Sequence, residues 1–317
     1  MDGYTILTQL RQAIGESETS TWPNAKLSYE CLYRAAVASA DRSGILTGLE
    51  VITTVADQAA YRLNVNYLRL YLMTDQNQHY IKYDDGTSHF FLYFENLTSI
   101  VSNDASSSVL IPQRFSIKDS DQITQVTGLA TSTGSLTNTY TLFGESLGKT
   151  TLTSTSTSFD SVRIGDIVHN TTDDSHGVVI GLVDTHNVVC ALFEGTNNYF
   201  TSGDAFIINP QMRYEIYLDP PPSTSGHTFT VWYIKKPNPV YSAYERYDFP
   251  DDFNGLVSRA AWEYKYRDRE PNYGDRYYTG WDMGMKRLGK ATNRAKQRKG
   301  FGVNFVKPAS SSYTFRR

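Results

Sequence analysis

Hydrophobic positions along the chain fall first at helical spacing and then switch to alternation. Ile6, Leu7, Leu10 and Ile14 recur near every 3.6 residues, which predicts a helix that Gly15 ends. Thr21-Trp22-Pro23-Asn24 has the form of a helix start, with proline in the first turn. A stripe of Leu27, Cys31, Leu32, Ala35, Ala36 and Ser39 follows, and Gly44 closes it. Ala35, Ala36, Ala38 and Ala40 are small enough for close helix packing, which predicts a bundle. From Thr53 the period changes. Ala60–Val65 alternates, Tyr67–Met73 and His79–Tyr83 favour strands, and Asp84-Asp85-Gly86 is a hairpin turn signal before His89–Phe94.

Between 100 and 209 the pattern shifts again. Seventeen of the 32 residues from Thr127 to Ser158 are Ser or Thr, a composition of edge strands and loops or of a linker. Short apolar runs then recur at regular spacing: Val162–Val168, Gly177–Val183, Val188–Phe193 and Ala205–Ile208. This rhythm predicts a small antiparallel barrel or sandwich, inserted into a fold whose flanking parts belong together. Met212–Leu218 and His227–Ile234, joined by Asp219-Pro-Pro-Pro-Ser-Thr-Ser-Gly226, predict a hairpin. Phe249-Pro250-Asp251-Asp252 opens a helix with an inner face of Phe253, Leu256, Val257, Ala260, Ala261 and Tyr264. Glu270-Pro271-Asn272 interrupts it, and a last helix carries Tyr277, Tyr278, Trp281, Met285 and Leu288. The expected class is α+β: a helical bundle with β-hairpins, an inserted β barrel or sandwich, and an extended C-terminal tail. Residues 1–99 and 210–285 form the expected core, 100–209 the insertion and 286–317 the tail.

Charge changes this picture most. From Met283 to the end there is no Asp or Glu, while Lys286, Arg287, Lys290, Arg294, Lys296, Arg298, Lys299, Lys307, Arg316 and Arg317 give +10. The other 20 Lys and Arg face all 33 Asp and Glu, so the body carries −13 behind a net charge of −3. Such asymmetry points to a partner. Phe301, Val303, Phe305, Val306, Tyr313 and Phe315 are interleaved with the basic residues. An inert solvated terminus has little reason to carry them. The mixture suits a segment that orders on a partner, with nucleic acid as the alternative.

Catalytic and metal chemistry find weaker support. Gly144-Glu-Ser-Leu-Gly148-Lys149-Thr150 is one residue short of a phosphate-binding loop and leads into Ser/Thr-rich sequence instead of a helix. Asp166, Asp173, Asp174, Glu194 and Asp204 match no calcium-loop spacing, and turn chemistry accounts for Asp173, Asp174 and Asp204. The six histidines are scattered, with no i, i+4 pair, and no G-x-S-x-G elbow supports a triad. Cys31 and Cys190 have no Cys or His neighbourhood, so neither a disulfide framework nor structural zinc is expected. Apolar runs are too short for a membrane span, and the opening Met1-Asp2-Gly3-Tyr4 does not predict a secretory leader. No enzyme, cofactor, metal or membrane role is expected. The 23 tyrosines suit half-buried strand faces and interface rims, or a sugar-binding surface.

Several segments in order resemble the head-to-tail adaptor (head-completion, connector) proteins of tailed bacteriophages. They are a short first helix, then Trp22-Pro-Asn-Ala-Lys-Leu27 with Leu32 and Ala35-Ala36, and Thr53-Thr-Val-Ala-Asp-Gln-Ala-Ala-Tyr61-Arg-Leu63. Tyr217-Leu-Asp-Pro-Pro, Val231-Trp-Tyr-Ile-Lys-Lys-Pro237 and Phe249-Pro-Asp-Asp-Phe253 before a long helix and a basic end complete the set. The resemblance covers 1–97 and 210–300; the β insertion is a departure. It implies a virion protein, met in the host cytoplasm during assembly, that forms a ring of about twelve copies under the portal protein. That ring continues the DNA channel without sequence-specific binding and gives the tail, nozzle or fibre proteins a platform. The resemblance places the C-terminal segment on the portal, with Lys286–Arg317 for attraction and Phe301, Phe305 and Phe315 as anchors. A ring needs two different subunit flanks, expected at Ala35 and Ala36 and at Tyr277 and Trp281. An acidic channel wall would let DNA slide. The alternative is a tail-associated host-recognition protein that binds glycans through the insertion.

Overall fold

Helix α1 (Gly3–Ile14) begins where the Asp2 carboxylate accepts the Thr5 N–H at 2.7 Å, satisfying a first-turn donor. It ends at Gly15, whose φ of 80° lies in the left-handed region and whose N–H bonds the Arg11 carbonyl. The structure is a computed structural model that describes residues 2–15, 22–64, 66–71, 81–102, 111–119, 124–142, 145–211, 213–240, 245–250, 253–267 and 274–289. Helix α2 (Asn24–Lys26), a π-helical stretch (Leu27–Tyr33) and α3 (Arg34–Ser43) run on without a break, and Gly44 ends them in the left-handed region. A short α4 (Leu97–Ser102) lies between strands. Helix α5 (Gly255–Arg267) and a helix over 274–289, α6, lie near the C-terminal end of the described chain.

All of these helices except α4 share one core of Leu7, Leu10, Leu27, Leu32, Leu256 and their neighbours. Arg11 is buried at the joint between α1 and α2. Its Nε donates to Asn24 Oδ1 and its Nη2 to the Trp22 carbonyl, both at 2.8 Å, so the charge enters the core with hydrogen-bond partners.

Two sheets share a second core. Strands β1 (Thr47–Thr53), β3 (Tyr67–Leu70), β4 (Ile81–Asp84), β5 (His89–Phe91) and β16 (Thr228–Lys235) form the first, in the order β1-β16-β4-β5 with β3 also on β16. Strands β2 (Ala60–Arg62), β6 (Tyr93–Phe94), β7 (Arg114–Asp119) and β15 (Tyr214–Asp219) form the second, in the order β2-β15-β7-β6. Tyr61, Ile81, Phe115, Ile216, Phe229 and Val231 lie buried between them.

The third sheet runs β8-β14-β11-β12-β13-β10-β9. Its strands are β8 (Val126–Leu129), β9 (Thr137–Leu142), β10 (Glu145–Thr153), β11 (Ile167–Asn170), β12 (Ser175–Asp184), β13 (Asn187–Phe193) and β14 (Ala205–Asn209). Past β8, the Ala130 N–H bonds the Asp204 carbonyl and the Thr131 N–H bonds Thr153 on β10. The sheet therefore curls back on itself around a third core containing Leu152, Phe159, Val188, Phe200 and Phe206.

The fold is thus α+β, with N- and C-terminal helices flanking predominantly antiparallel sheets. Three features depart from the sequence reading. β15 and β16 do not form a hairpin: β15 pairs with β2 and β7, and β16 with β1, β3 and β4. Pro220, Pro221 and Pro222 supply no N–H at that turn, so the ladder cannot continue through them and the chain crosses to the other sheet. The strand period starts at Thr47, before Thr53. Strand β7 falls inside the segment read as the insertion but pairs residue by residue with β15, with Asp119 opposite Tyr214.

Candidate interaction surfaces

The two-sheet sandwich has two unlike flanks. One is headed by the edge strands β1 and β2, joined through residues 54–59; the other by β5 and β6, joined through Leu92. The two pairs terminate opposite ends of their sheets, so the flanks face away from each other. On β1, Ile52 packs toward the shared core, whereas Leu49 and Val51 are 57% and 55% exposed on the outer face. Val55, just past the end of β1, is also exposed. On β6, Tyr93 and Phe94 are 62% and 58% exposed, and Phe94 meets Phe115 edge to face at 5.5 Å. Arg114 binds the Glu95 carboxylate at 2.8 Å and also pairs with Asp219, tying β6 to β7 and β15. Exposed apolar side chains on a sheet edge, beside unpaired backbone groups, favour association.

The helix residues read as a subunit contact are elsewhere. Ala35 and Ala36 are fully buried in the chain's own core, and Trp281 is buried with its Nε1–H donating to Ser39 Oγ at 2.9 Å. The Tyr277 hydroxyl donates to the Ala13 carbonyl. Helices α5 and α6 fill the face that the alanine stripe offers, because small residues that invite a neighbour find one within the chain. Ala35, Ala36 and Trp281 thus lie in the chain's own core, and half-buried Tyr277 packs against it.

Lys286 and Arg287 are exposed on the last turns of α6, where Lys286 pairs with Asp282 at 2.7 Å. Cations there complement the helix dipole. Lys290, Arg294, Lys296, Arg298, Lys299, Phe301, Phe305, Lys307, Phe315, Arg316 and Arg317 lie outside the described residues.

A seam joins the curled sheet to the rest. Tyr29 packs against Val178 and Ala191 and lies 6.4 Å from the Phe193 ring, while ion pairs Lys26–Glu194 and Lys149–Glu245 flank the contact. A cavity of about 400 Å³ opens along the seam, lined by Tyr29, Tyr33, Arg34 and Lys236 among others. Burial pushes the Tyr33 hydroxyl up to about 12 and the Lys236 ammonium below its ordinary value. Next in sequence to the lining residue Gly165, the buried Asp166 carboxylate receives the N–H groups of Gln211 and Arg163, each at 2.9 Å, and Arg213 Nη2 at 2.6 Å. Burial nonetheless holds this carboxyl above its ordinary value and the Arg213 guanidinium below its own.

The candidate chemistry is dispersed. Lys149 belongs to strand β10, so the loop-like motif has no helix to hold a phosphate. Glu194 pairs with Lys26, Asp173 accepts from Asn197, and Asp204 binds Thr201 and Asn170. Cys31 and Cys190 are buried in separate cores, and burial raises both thiols, Cys31 to about 12. The sequence reading missed one convergence. His169 and His176 are cross-strand partners in the β11–β12 hairpin, and Asp174 lies beside both. The signal was a turn, Thr171-Thr-Asp-Asp174, flanked by histidines at mirror positions. Among the described residues, no helix is long and apolar enough to cross a membrane. No protein-family model matches the chain, and no curated protein matches it.

Proposed function

We propose that this chain is a structural virion protein, the head-to-tail adaptor of a tailed bacteriophage, working as a ring subunit with no catalytic role. The observation that carries the reading is the pair of unlike apolar flanks on opposite sides of one sandwich. A two-fold dimer uses one patch twice, whereas a ring joins one patch to a different one on the next copy. Leu49 and Val51 of each subunit would meet Tyr93 and Phe94 of its neighbour, burying surface that is exposed in the single chain.

The curled sheet acts as a small barrel domain, carried on the sandwich through β7 and β15 and offered to tail, nozzle or fibre proteins. The basic segment beginning at Lys286 docks on the portal. Its charges speed encounter and make docking salt-sensitive, its phenylalanines anchor it, and repetition around the ring multiplies a weak contact. DNA passes through the channel held by no base-specific contact.

Electron microscopy and mass photometry of the full chain, alone and with portal protein, test this. Closed rings of about a dozen subunits are expected, with portal binding lost on truncation after Gly289 and weakened by salt. A chain that stays monomeric at every concentration, with and without portal, refutes the assignment.

A further inference from the structure

The β11–β12 hairpin brings three metal-ligating side chains to one point. His169 Nε2 lies 3.1 Å from Asp174 Oδ1, and His176 Nε2 lies 3.7 Å from the same oxygen. One ligand atom from each of the three falls within 4.8 Å of the others. The two imidazoles stack at 4.1 Å with planes 16° apart, side by side across the ladder. All three groups reach solvent, Asp174 most of all.

We propose that His169, Asp174 and His176 form a binding site for a divalent transition-metal ion, of which zinc is the best fit. Ligands on a tetrahedral ion with bonds near 2.1 Å sit about 3.4 Å apart. The two Asp–His separations already straddle that value, so binding asks only for ring rotations that bring the two Nε2 atoms together. Two imidazole nitrogens and one carboxylate oxygen are a donor set for zinc and its first-row neighbours; calcium and magnesium take mostly oxygen. Three protein ligands leave the fourth position to water or to a donor from outside the chain.

The support beneath the site is fixed before any ion arrives. Buried Asn170 accepts the Thr172 and Asp173 N–H groups at 3.1 and 3.3 Å, and its amide donates to buried Asp204 at 2.9 Å. The Thr171 N–H bonds the Ala205 carbonyl at 2.9 Å, stitching the turn to β14. Asp173 turns inward to Asn170 and Asn197, whereas Asp174, at a φ of 53°, lies beside the two histidines. Ligands held on a rigid hairpin lose little freedom when an ion binds.

Calorimetry on untagged, chelator-stripped full chain, titrated with zinc chloride and separately with magnesium chloride, tests the site. One zinc per chain at micromolar Kd is expected, with no magnesium heat. Cobalt substitution should give the visible absorption of a four-coordinate site. His169→Ala, His176→Ala and Asp174→Asn should each weaken zinc binding at least ~10-fold, the low end for disturbing a metal's support. His89→Ala, at an exposed histidine outside the cluster, should bind as wild type does. Far-UV circular dichroism checks that each variant folds. Absence of zinc binding, or zinc binding unchanged in both His169→Ala and His176→Ala, overturns the assignment. Since the hairpin is independent of the β1 and β6 flanks, the site stands or falls apart from ring assembly.

Discussion

Asp166 and Arg213 clamp the base of the curled sheet, and the cost of opening the clamp follows from its hydrogen bonds. Asp166→Ala removes the acceptor for two backbone N–H groups and for the Arg213 guanidinium. A buried donor left without a partner costs about 1–3 kcal/mol, and removing one member of a buried ion pair costs about 3–5 kcal/mol. Arg213 keeps some contact with solvent and also donates to the Ser161 carbonyl at 2.6 Å, so the expected loss is near the lower end, about 3 kcal/mol. Arg213→Ala should cost less, about 2 kcal/mol, because Asp166 keeps both backbone donors. In the double variant neither charge is left facing a missing partner, so its cost should fall about 2 kcal/mol below the sum of the singles. The readout must suit the location. The four tryptophans, at 22, 232, 262 and 281, lie outside 120–209 and none belongs to its core, so their fluorescence reports this region poorly. Hydrogen exchange at Val179, whose N–H bonds the Asp166 carbonyl at 2.9 Å, reports it directly, alongside urea titration by circular dichroism. Additivity within about 0.5 kcal/mol, or a loss below about 1 kcal/mol for Asp166→Ala, refutes the clamp.

Acidity supplies further checks. Burial raises the Asp166 carboxyl in the folded chain, so its contribution is fully present below the unfolded value and lost as pH rises through the folded one. Between those values wild-type stability should fall with pH, and Asp166→Asn should lack that component in parallel urea titrations. Asp2 behaves oppositely. The Thr5 N–H holds its carboxyl below the ordinary value, so its stabilisation is present above the unfolded value and lost as pH falls through the folded one. Asp2→Ala should therefore cost about 1 kcal/mol near neutrality and progressively less in acid. A Cβ on Gly177 would stand 2.0 Å from the Ala191 carbonyl oxygen, so Gly177→Ala should push β12 from β13 at about 1–3 kcal/mol. Faster exchange in those strands with unchanged tryptophan emission would show it. Leu49→Lys with Val51→Lys should leave the fold intact and abolish assembly, measured by mass photometry; persistent rings would exclude β1 as a contact.

Local pattern revealed the helices well and the partnerships poorly. The stripes from Ile6 to Ile14 and from Leu27 to Ser39 are one-sided, and Gly15 and Gly44 stop helices by adopting positive φ, a property local to the residue. The runs Gly177–Val183 and Val188–Phe193 likewise became neighbouring strands β12 and β13. Partner choice is not local. Nothing near Tyr214–Asp219 says that its mates are β2 and β7, far away in sequence, while the adjacent β16 belongs to another sheet. The alternation of β1 was hidden because Gly48 and Glu50 occupy its inner face, where the Tyr233 ring fills the space at Gly48. The alanine face was legible as a packing surface, but its identity required knowing where α5 returns. His169 and His176, seven residues apart, become neighbours only when the turn between them folds.

The register opposite Asp119 reaches beyond this one chain. Where the polypeptide departs from the sandwich at Asp119 and where it comes back at Tyr214 are facing positions of a single ladder. Such positions stand about 4.5–5.5 Å apart across an antiparallel pair, a gap that a two-residue turn spans. The excursion from 120 to 213 is therefore a cartridge in a socket. Replacing it with a tight bend would leave the β7–β15 ladder its register, so the cost would fall on the contacts at the seam with the helices.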